Sequence, residues 1–116
     1  MGKLTTHVLD TARGRPGAGI EVSLHALAPE GRRLVARTVT GDDGRSPEPL
    51  LGGEAWQPGT YELEFAVGEY FRATGVELAD PPFLDCVVVR VSLSGDQHYH
   101  VPLLVSPWSY ATYRGS

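Results

Sequence analysis

Cysteine is nearly missing from this sequence of 116 residues, and Cys86 is the only one. A lone cysteine excludes an internal disulfide framework and is typical of a reducing compartment. The sequence also has no apolar run that approaches the roughly 18 residues of a membrane-spanning helix. No apolar stretch follows Lys3 as it would in a secretory signal. We therefore expect no membrane association and a cytoplasmic location.

An excess of positive charge is missing as well. Ten lysines and arginines stand against fourteen aspartates and glutamates, which gives a net charge of −4 at pH 7. Because phosphate binding needs clustered positive charge, nucleic acid is not expected as a partner. The sequence contains no linker, low-complexity stretch or internal repeat, and its length suits one core. The prediction is a single domain over residues 1–116.

The sequence also shows almost no helical periodicity. Apolar residues alternate with polar ones at the period of two that is typical of half-buried strands, and only residues 68–75 offer a short helical turn. Turns rich in glycine and proline separate the alternating runs. This pattern predicts an all-β protein, an antiparallel β-sandwich of seven to eight strands with one short helix. The predicted strands cover residues 4–10, 20–26, 34–40, 61–67, 86–94, 98–105 and 109–116.

Two of these runs lie close together near the C-terminal end. Residues 86–94 are rich in valine and long enough for a central strand, and Gly95-Asp96 predicts a hairpin to the strand over residues 98–105. Cys86 lacks an electropositive neighbour, so we expect it to be a small core residue and not a nucleophile.

The strand over residues 98–105 has an unusual second face. Because residues i and i+2 share a face, Tyr99 and its alternates suit the core. The opposite face combines histidines with apolar residues, as does the face that carries His7 on the first strand. A mixed stripe of this kind is typical of an interface, and two such sheets from different subunits can enclose a cleft. The second face of residues 98–105 consists of His98, His100, Pro102 and Leu104.

Each polar candidate also has a plain structural interpretation. Arg45 follows a glycine-rich turn and fits a solvated arginine, while His25 fits the polar face of its strand. His7 and His100 fit satisfied surface imidazoles. His98 and His100 share a face, but two ligands fall short of the three or four protein ligands of a typical zinc site. No metal site is predicted.

The C-terminal end carries a phenol, a guanidinium and a hydroxyl, on Tyr113, Arg114 and Ser116. These groups bind or polarise polar ligands, whereas a frayed terminus has no need of them. We therefore expect this end to belong to a site. Tyr113 and Ser116 cannot face the same side of a regular strand, so Gly115 is expected to permit a change of backbone direction.

Several motifs together resemble one family. They are His-Val-Leu-Asp at residues 7–10, Gly44-Arg45 and, most specifically, HYHVPLLVSPWSYATYRGS at residues 98–116. The match runs nearly end to end and makes the chain similar to the transthyretin-like proteins. Transthyretin itself, the thyroid-hormone carrier, has lysine, glutamate and threonine at the positions of His7, Arg45 and His100, and it lacks the Tyr-Arg-Gly-Ser ending. In all four features this chain resembles the other branch, the 5-hydroxyisourate hydrolases.

The resemblance implies a prealbumin-like sandwich that assembles as a homotetramer, with substrate pockets where two dimers meet. It implies hydrolysis of 5-hydroxyisourate to 2-oxo-4-hydroxy-4-carboxy-5-ureidoimidazoline in urate degradation, part of purine catabolism, without a cofactor. The catalytic residues that it implies are His7, Arg45, His100 and Ser116. The substrate-binding residues that it implies are His98, Tyr113, Arg114 and Gly115.

The chemistry of ring opening suggests a role for each catalytic residue. His7 is the expected base towards water, alone or together with the Ser116 hydroxyl. Arg45 is expected to stabilise negative charge that develops on the substrate. His100 either binds the substrate or relays a proton to the leaving nitrogen. A carrier that holds a planar ligand in the same channel without chemistry is the alternative, and a structural sandwich fused to larger proteins is a third interpretation.

Overall fold

The computed structural model describes residues 2–115, which form two β-sheets packed face to face. The first sheet has the strand order β2-β1-β8-β9, and the short strand β5 pairs with β1. The second sheet has the order β4-β3-β6-β7. The strands are β1 Lys3–Asp10, β2 Arg15–Pro16, β3 Glu21–Ala28, β4 Gly31–Val39, β5 Leu51–Gly52, β6 Gly59–Ala66, β7 Cys86–Leu93, β8 His98–Val105 and β9 Tyr110–Thr112.

This architecture confirms the predicted β-sandwich. Within residues 2–115 the one α-helix, α1, covers Val67–Ala73, close to the predicted helical turn, and a single 3-10 turn covers Gly53–Ala55. Two of the nine strands have only two residues each. One pairing departs from the antiparallel pattern, because β1 and β8 run parallel along their full lengths.

The core lies between the two sheets and follows the alternation of each strand. On β8, Tyr99, Val101, Leu103 and Val105 are all buried, as the sequence predicts. On β1, the inward residues are Leu4, Thr6, Val8 and Asp10. The hydroxyl of Thr6 is satisfied because it donates to the carbonyl of Val101 at 2.7 Å.

The predicted hairpin between β7 and β8 is wrong. Strand β7 pairs only with β6, and β8 pairs with β1 and β9, so the chain crosses from one sheet to the other between them. Gly95, with a φ of 64°, supplies the turn. The Tyr99 hydroxyl on β8 holds the connecting segment in place, since it accepts from the amide of Ser94 and donates to the carbonyl of Ser94, both at 3.0 Å.

Two further predictions about β7 are wrong. The strand is an edge strand and not a central one, since it pairs with β6 alone. Cys86 begins it and is exposed, while the next residue, Val87, is buried. Alternation along an edge strand therefore places the thiol outside the core.

The predicted strand over residues 109–116 is interrupted. Strand β9 ends at Thr112, and the chain meets β8 again through a bridge between Gly115 and His100. Both contacts have the same register, so Tyr113 falls opposite Pro102, which has no amide hydrogen to donate. The carbonyl of Pro102 instead accepts from the hydroxyl of Thr112 at 2.7 Å.

Asp10 is the one buried carboxylate of the sandwich, within the residues described, at 1% exposure. The hydroxyl of Tyr70 on α1 donates to it at 2.7 Å, and the amides of Ala12 and Arg13 and the Arg13 guanidinium donate at 3.0 Å. Burial alone would raise the pKa of Asp10, but the hydrogen bonds from Tyr70 and Arg13 outweigh it and hold the pKa below its ordinary value. The network fastens the helix to the end of β1.

The network makes stability depend on pH. Because the pKa of Asp10 is lower in the folded chain, its ionised form stabilises the fold above the unfolded pKa of about 3.9, and this is lost as the pH falls through the folded value. We expect Asp10→Asn to lower the free energy of unfolding at pH 7 by about 2 kcal/mol, the scale of a hydrogen bond to a charged group. The difference in the free energy of unfolding between Asp10→Asn and wild type should become smaller below about pH 4.

Urea unfolding at pH 7 and pH 3, at one protein concentration, measures this effect. Asp42→Asn, at an exposed carboxylate on the turn that follows β4, is the matched control and should leave stability unchanged. An Asp10→Asn protein as stable as wild type at pH 7 would show that the network contributes nothing to the fold.

Candidate functional site

The parallel pairing of β1 with β8 brings three predicted site residues together. Thr5 lies opposite His100, and His7 lies two pairs further along on the same face, opposite Pro102. The rings of His7 and His100 have centroids 6.0 Å apart and are tilted by 30°. Both histidines are half-buried, whereas His98, at the start of β8, is exposed. The two strands thus gather the histidines on the face of the sheet that points away from the core.

A tight turn places Arg45 beside this pair. Arg45 forms a β-bridge with His7, and its amide donates to the carboxylate of Asp43 at 3.0 Å. Gly44 has a φ of 79° and lies so close to β1 that a Cβ atom there would overlap the carbonyl oxygen of Val8. Glycine is therefore required at residue 44 for two reasons, the left-handed backbone conformation and the close approach of the turn to β1. The turn itself is the reason that Arg45 reaches the histidines.

These residues form a shallow cleft of about 320 Å³. Its lining includes Arg45 and two of the four histidines of the chain. His7 borders it through its contact with His100. The residues that line the cleft are Thr5, Thr6, Arg45, Ser46, His98 and His100.

The cleft favours neutral imidazoles. Burial lowers the pKa of His7 below 6.5, Arg45 lowers it further, and Asp43 acts in the opposite direction. Burial likewise lowers the pKa of His100, with additional contributions from Arg45, His7 and His98. Both rings are therefore uncharged at neutral pH and can accept or donate a proton.

The C-terminal end meets the cleft at Gly115. The amide of Gly115 donates to the carbonyl of His100 at 2.7 Å. A Cβ atom at this position would lie 2.8 Å from Cδ2 of His100, which is too close for any side chain. Gly115 does not adopt a positive φ. The glycine is needed because the histidine ring packs against it. The expected change of backbone direction towards Ser116 stays a prediction, since Ser116 lies outside the described residues.

Arg114 and Tyr113 lie away from the histidine cleft. The Arg114 guanidinium stacks on the ring of Tyr99 with 4.1 Å to its centroid, and Nη2 donates to Oε1 of Gln97 at 2.9 Å and to the carbonyl of His98 at 3.3 Å. Tyr113 is 58% exposed. Both residues line a separate cavity of about 310 Å³ beside β7. Within one chain the structure brings His7, Arg45, His98, His100 and Gly115 together, but not these two.

Ser116, the fourth predicted catalytic residue, lies outside the described residues. Thr5 is the site residue that the sequence interpretation missed. It shares the outward face of β1 with His7, and that spacing was the available signal. Its importance depends on the parallel register with β8, which alternation alone does not reveal.

Among residues 2–115, no group of three or more His, Cys, Asp or Glu side chains is placed to hold a metal ion. Over the same residues, no helix is long and apolar enough to cross a membrane.

A family model and a named relative both match this chain along nearly its full length. The model of the HIUase/Transthyretin family matches residues 4–115. A protein of Pseudomonas aeruginosa named 5-hydroxyisourate hydrolase is 55% identical over 117 residues, which cover 100% of this chain and 93% of that protein.

Two solved structures have similar folds, one at higher and one at lower sequence identity. An (S)-allantoin synthase superposes with a TM-score of 0.92 at 50% identity over 99% of this chain, which spans only 44% of that longer chain. Sea bream transthyretin in complex with thyroxine gives a TM-score of 0.87 at 26% identity, covering 97% of this chain and 94% of that one. With a family model matched over nearly its full length and a relative of this identity, the chain belongs to the HIUase/Transthyretin family.

Proposed function

We propose that the protein hydrolyses 5-hydroxyisourate to 2-oxo-4-hydroxy-4-carboxy-5-ureidoimidazoline, a step of urate degradation in purine catabolism. The observation that carries the proposal is the cleft itself, in which the rings of His7 and His100 lie 6.0 Å apart and Arg45 lies beside them. The name of the Pseudomonas aeruginosa relative supports the substrate. The proposed chemistry uses no cofactor.

The ring opening divides into three tasks. Neutral His7 removes a proton from water, and the resulting hydroxide attacks a ring carbonyl of the substrate. Arg45 stabilises the negative charge that develops on the carbonyl oxygen, since its fork of donors suits such an oxyanion. His100 hydrogen-bonds the leaving side of the ring, where the C–N bond breaks and the nitrogen takes up a proton. The new carboxylate and the protonated nitrogen complete the hydrolysis.

The C-terminal residues support this cleft in different ways. The hydroxyl of Ser116 is proposed to assist His7, and Gly115 fixes the ring of His100 by packing against Cδ2. Arg114 is engaged with Tyr99 and Gln97, which suits a residue that anchors the tail. Substrate binding by His98, Tyr113 and Arg114 stays a prediction.

A carrier without chemistry is not favoured. The similarity to sea bream transthyretin, at 26% identity, is much lower than the similarity to the relative named as a hydrolase. A neutral histidine pair beside Arg45 is suited to proton transfer, whereas binding a planar ligand does not require it.

The chain is further proposed to form one domain and to assemble as a homotetramer in the cytoplasm. A single cluster of buried apolar residues joins both sheets. The outward face of β8 leaves Leu104 half-buried beside the histidines, and the aromatic side chains of Trp108, Tyr110 and Tyr113 are exposed near β9. Strand β9 has no second neighbour among the described strands. Apolar surface and an unpaired edge are both features of subunit contacts.

The direct test generates 5-hydroxyisourate from urate with urate oxidase and follows its ultraviolet decay with and without the protein. Initial rates are needed, because the substrate also hydrolyses spontaneously. Wild type should accelerate the decay, and His7→Asn should lower kcat by about 10² to 10⁴, the range of general acid–base help. His25→Asn, on β3 of the second sheet, is the matched control and should retain the wild-type kcat.

Unaccelerated decay with folded wild-type protein would favour the carrier. Equal kcat values for His7→Asn and His25→Asn would remove His7 from the mechanism while leaving the activity in place.

The lowered pKa values also predict the pH dependence. A base acts only when it is unprotonated, so a lower pKa of His7 extends activity towards acid. We expect the acid limb of kcat/KM for wild type and His25→Asn to have its midpoint below pH 6.5. Rates corrected for spontaneous decay between pH 5 and pH 8 measure it. A midpoint at or above pH 6.5 would contradict a neutral His7 beside Arg45.

Assembly is tested by placing a charge on the outward face of β8. We expect light scattering to give wild type a mass of four chains and Leu104→Glu a smaller assembly with reduced activity, because a buried carboxylate without a partner is unfavourable. Leu34→Glu, at a residue of β4 that is 47% exposed, should keep both the mass and the activity. A wild-type protein with the mass of one chain and full activity would contradict the interface site.

A further inference from the structure

One hydroxyl group contacts two histidines of the cleft. Oγ1 of Thr5 lies 2.8 Å from Nδ1 of His100 and 3.3 Å from Nε2 of His98. Thr5 and His100 are paired residues of β1 and β8, so the backbone register itself sets this contact. The proposed function gives no role to Thr5.

We propose that Thr5 is a positioning residue that fixes the tautomer of His100, with the Thr5 hydroxyl donating to Nδ1 and the ring proton held on Nε2. This inference rests on the proposed function and assigns a role to His100 within it. Thr5 acts through the histidine and does not itself touch the reacting atoms.

We place the single hydroxyl proton on the shorter of the two contacts. A threonine hydroxyl donates once and accepts at its lone pairs, so it can donate to only one of the two rings. The shorter contact is to Nδ1 of His100, at a length that suits a hydrogen bond. Nε2 of His98, at the longer distance, then donates its own hydrogen to the Thr5 oxygen. The three groups form one short chain of donors and acceptors.

The hydrogen bond to Thr5 opposes a flip of the His100 ring. Nδ1 and Cδ2 lie on opposite sides of the ring, and Cδ2 is the atom that Gly115 approaches. A flip of the ring would place Cδ2 against the Thr5 hydroxyl and lose that hydrogen bond. The contact with Thr5 therefore favours the present orientation of the ring.

The environment of His100 favours the neutral ring, and only a neutral ring has two tautomers to choose between. The charged and titratable groups that face the ring are Arg45, His7 and His98, and together with burial they favour its neutral form. A neutral ring with its proton on Nε2 is a donor at the nitrogen that Thr5 does not occupy. His100 thus serves the leaving nitrogen as the proton donor, and the role of base is left to His7.

Two variants of Thr5 distinguish the effect of its hydroxyl group from the effect of its side-chain shape. Thr5→Val keeps the branched shape and removes the donor, whereas Thr5→Ser keeps the hydroxyl. Thr38→Val, on β4 of the second sheet, is the matched control. The readouts are the tautomer of His100, from nitrogen-15 NMR of histidine-labelled protein with the His100→Gln spectrum as the assignment, and the separate values of kcat and KM.

Wild type, Thr5→Ser and Thr38→Val should all show His100 protonated on Nε2. Thr5→Val should show a mixture of tautomers and a kcat lowered roughly 3- to 10-fold, with KM little changed, which corresponds to the loss of one hydrogen bond. A merely structural role for Thr5 would not change the tautomer of a folded variant.

The outcomes distinguish this inference from the proposed function. If wild type hydrolyses 5-hydroxyisourate but His100 carries its proton on Nδ1, or if Thr5→Val keeps both the tautomer and kcat, the role of Thr5 is overturned and the activity stands. If wild type does not hydrolyse the substrate, the proposed function fails, and the catalytic consequence drawn for Thr5 fails with it.

Discussion

The parallel pairing of β1 with β8 is the constraint on which the candidate site depends. It places Thr5 opposite His100 and brings the ring of His7 within reach of the same ring. Because side chains alternate, the same pairing directs Leu4, Val8 and Val101 into the core. A slip of one residue would move the histidines to the opposite face and expose the core. Burial of the core thus fixes the geometry of the cleft.

The remaining site residues are held against this pair by backbone contacts. The turn that ends at Arg45 lies on β1 because Gly44 has no side chain, and the C-terminal end lies on β8 because Gly115 has none. Both glycines allow a close approach that any other residue would prevent. The rings in this cleft are partly desolvated, which lowers the pKa of both histidines and favours their neutral form.

Much of the fold was predictable from alternation, and the errors have two causes. The strands containing His7 and His100, and the buried face of β8, follow directly from the period of two. Alternation does not tell which strands are neighbours, so the hairpin and the central position of β7 were predicted wrongly. The burial of Cys86 was predicted from its residue type and not from its place in the alternation. The candidate residues were found by resemblance to a family, whereas Thr5 needed the register and Ser116 lies beyond the described residues. The reason for Gly115 also required the position of a neighbouring ring.

The pairing of β1 with β8 also bears on the order in which the chain folds. Thr5 and His100 are 95 residues apart in sequence, so their strands can meet only after nearly the whole chain has left the ribosome. The antiparallel pairs β3–β4 and β6–β3 join segments closer in sequence and can form earlier. Contacts between distant segments have the highest loop-closure cost and slow folding the most. We therefore expect the nascent protein to form its second sheet first and the cleft among its last features.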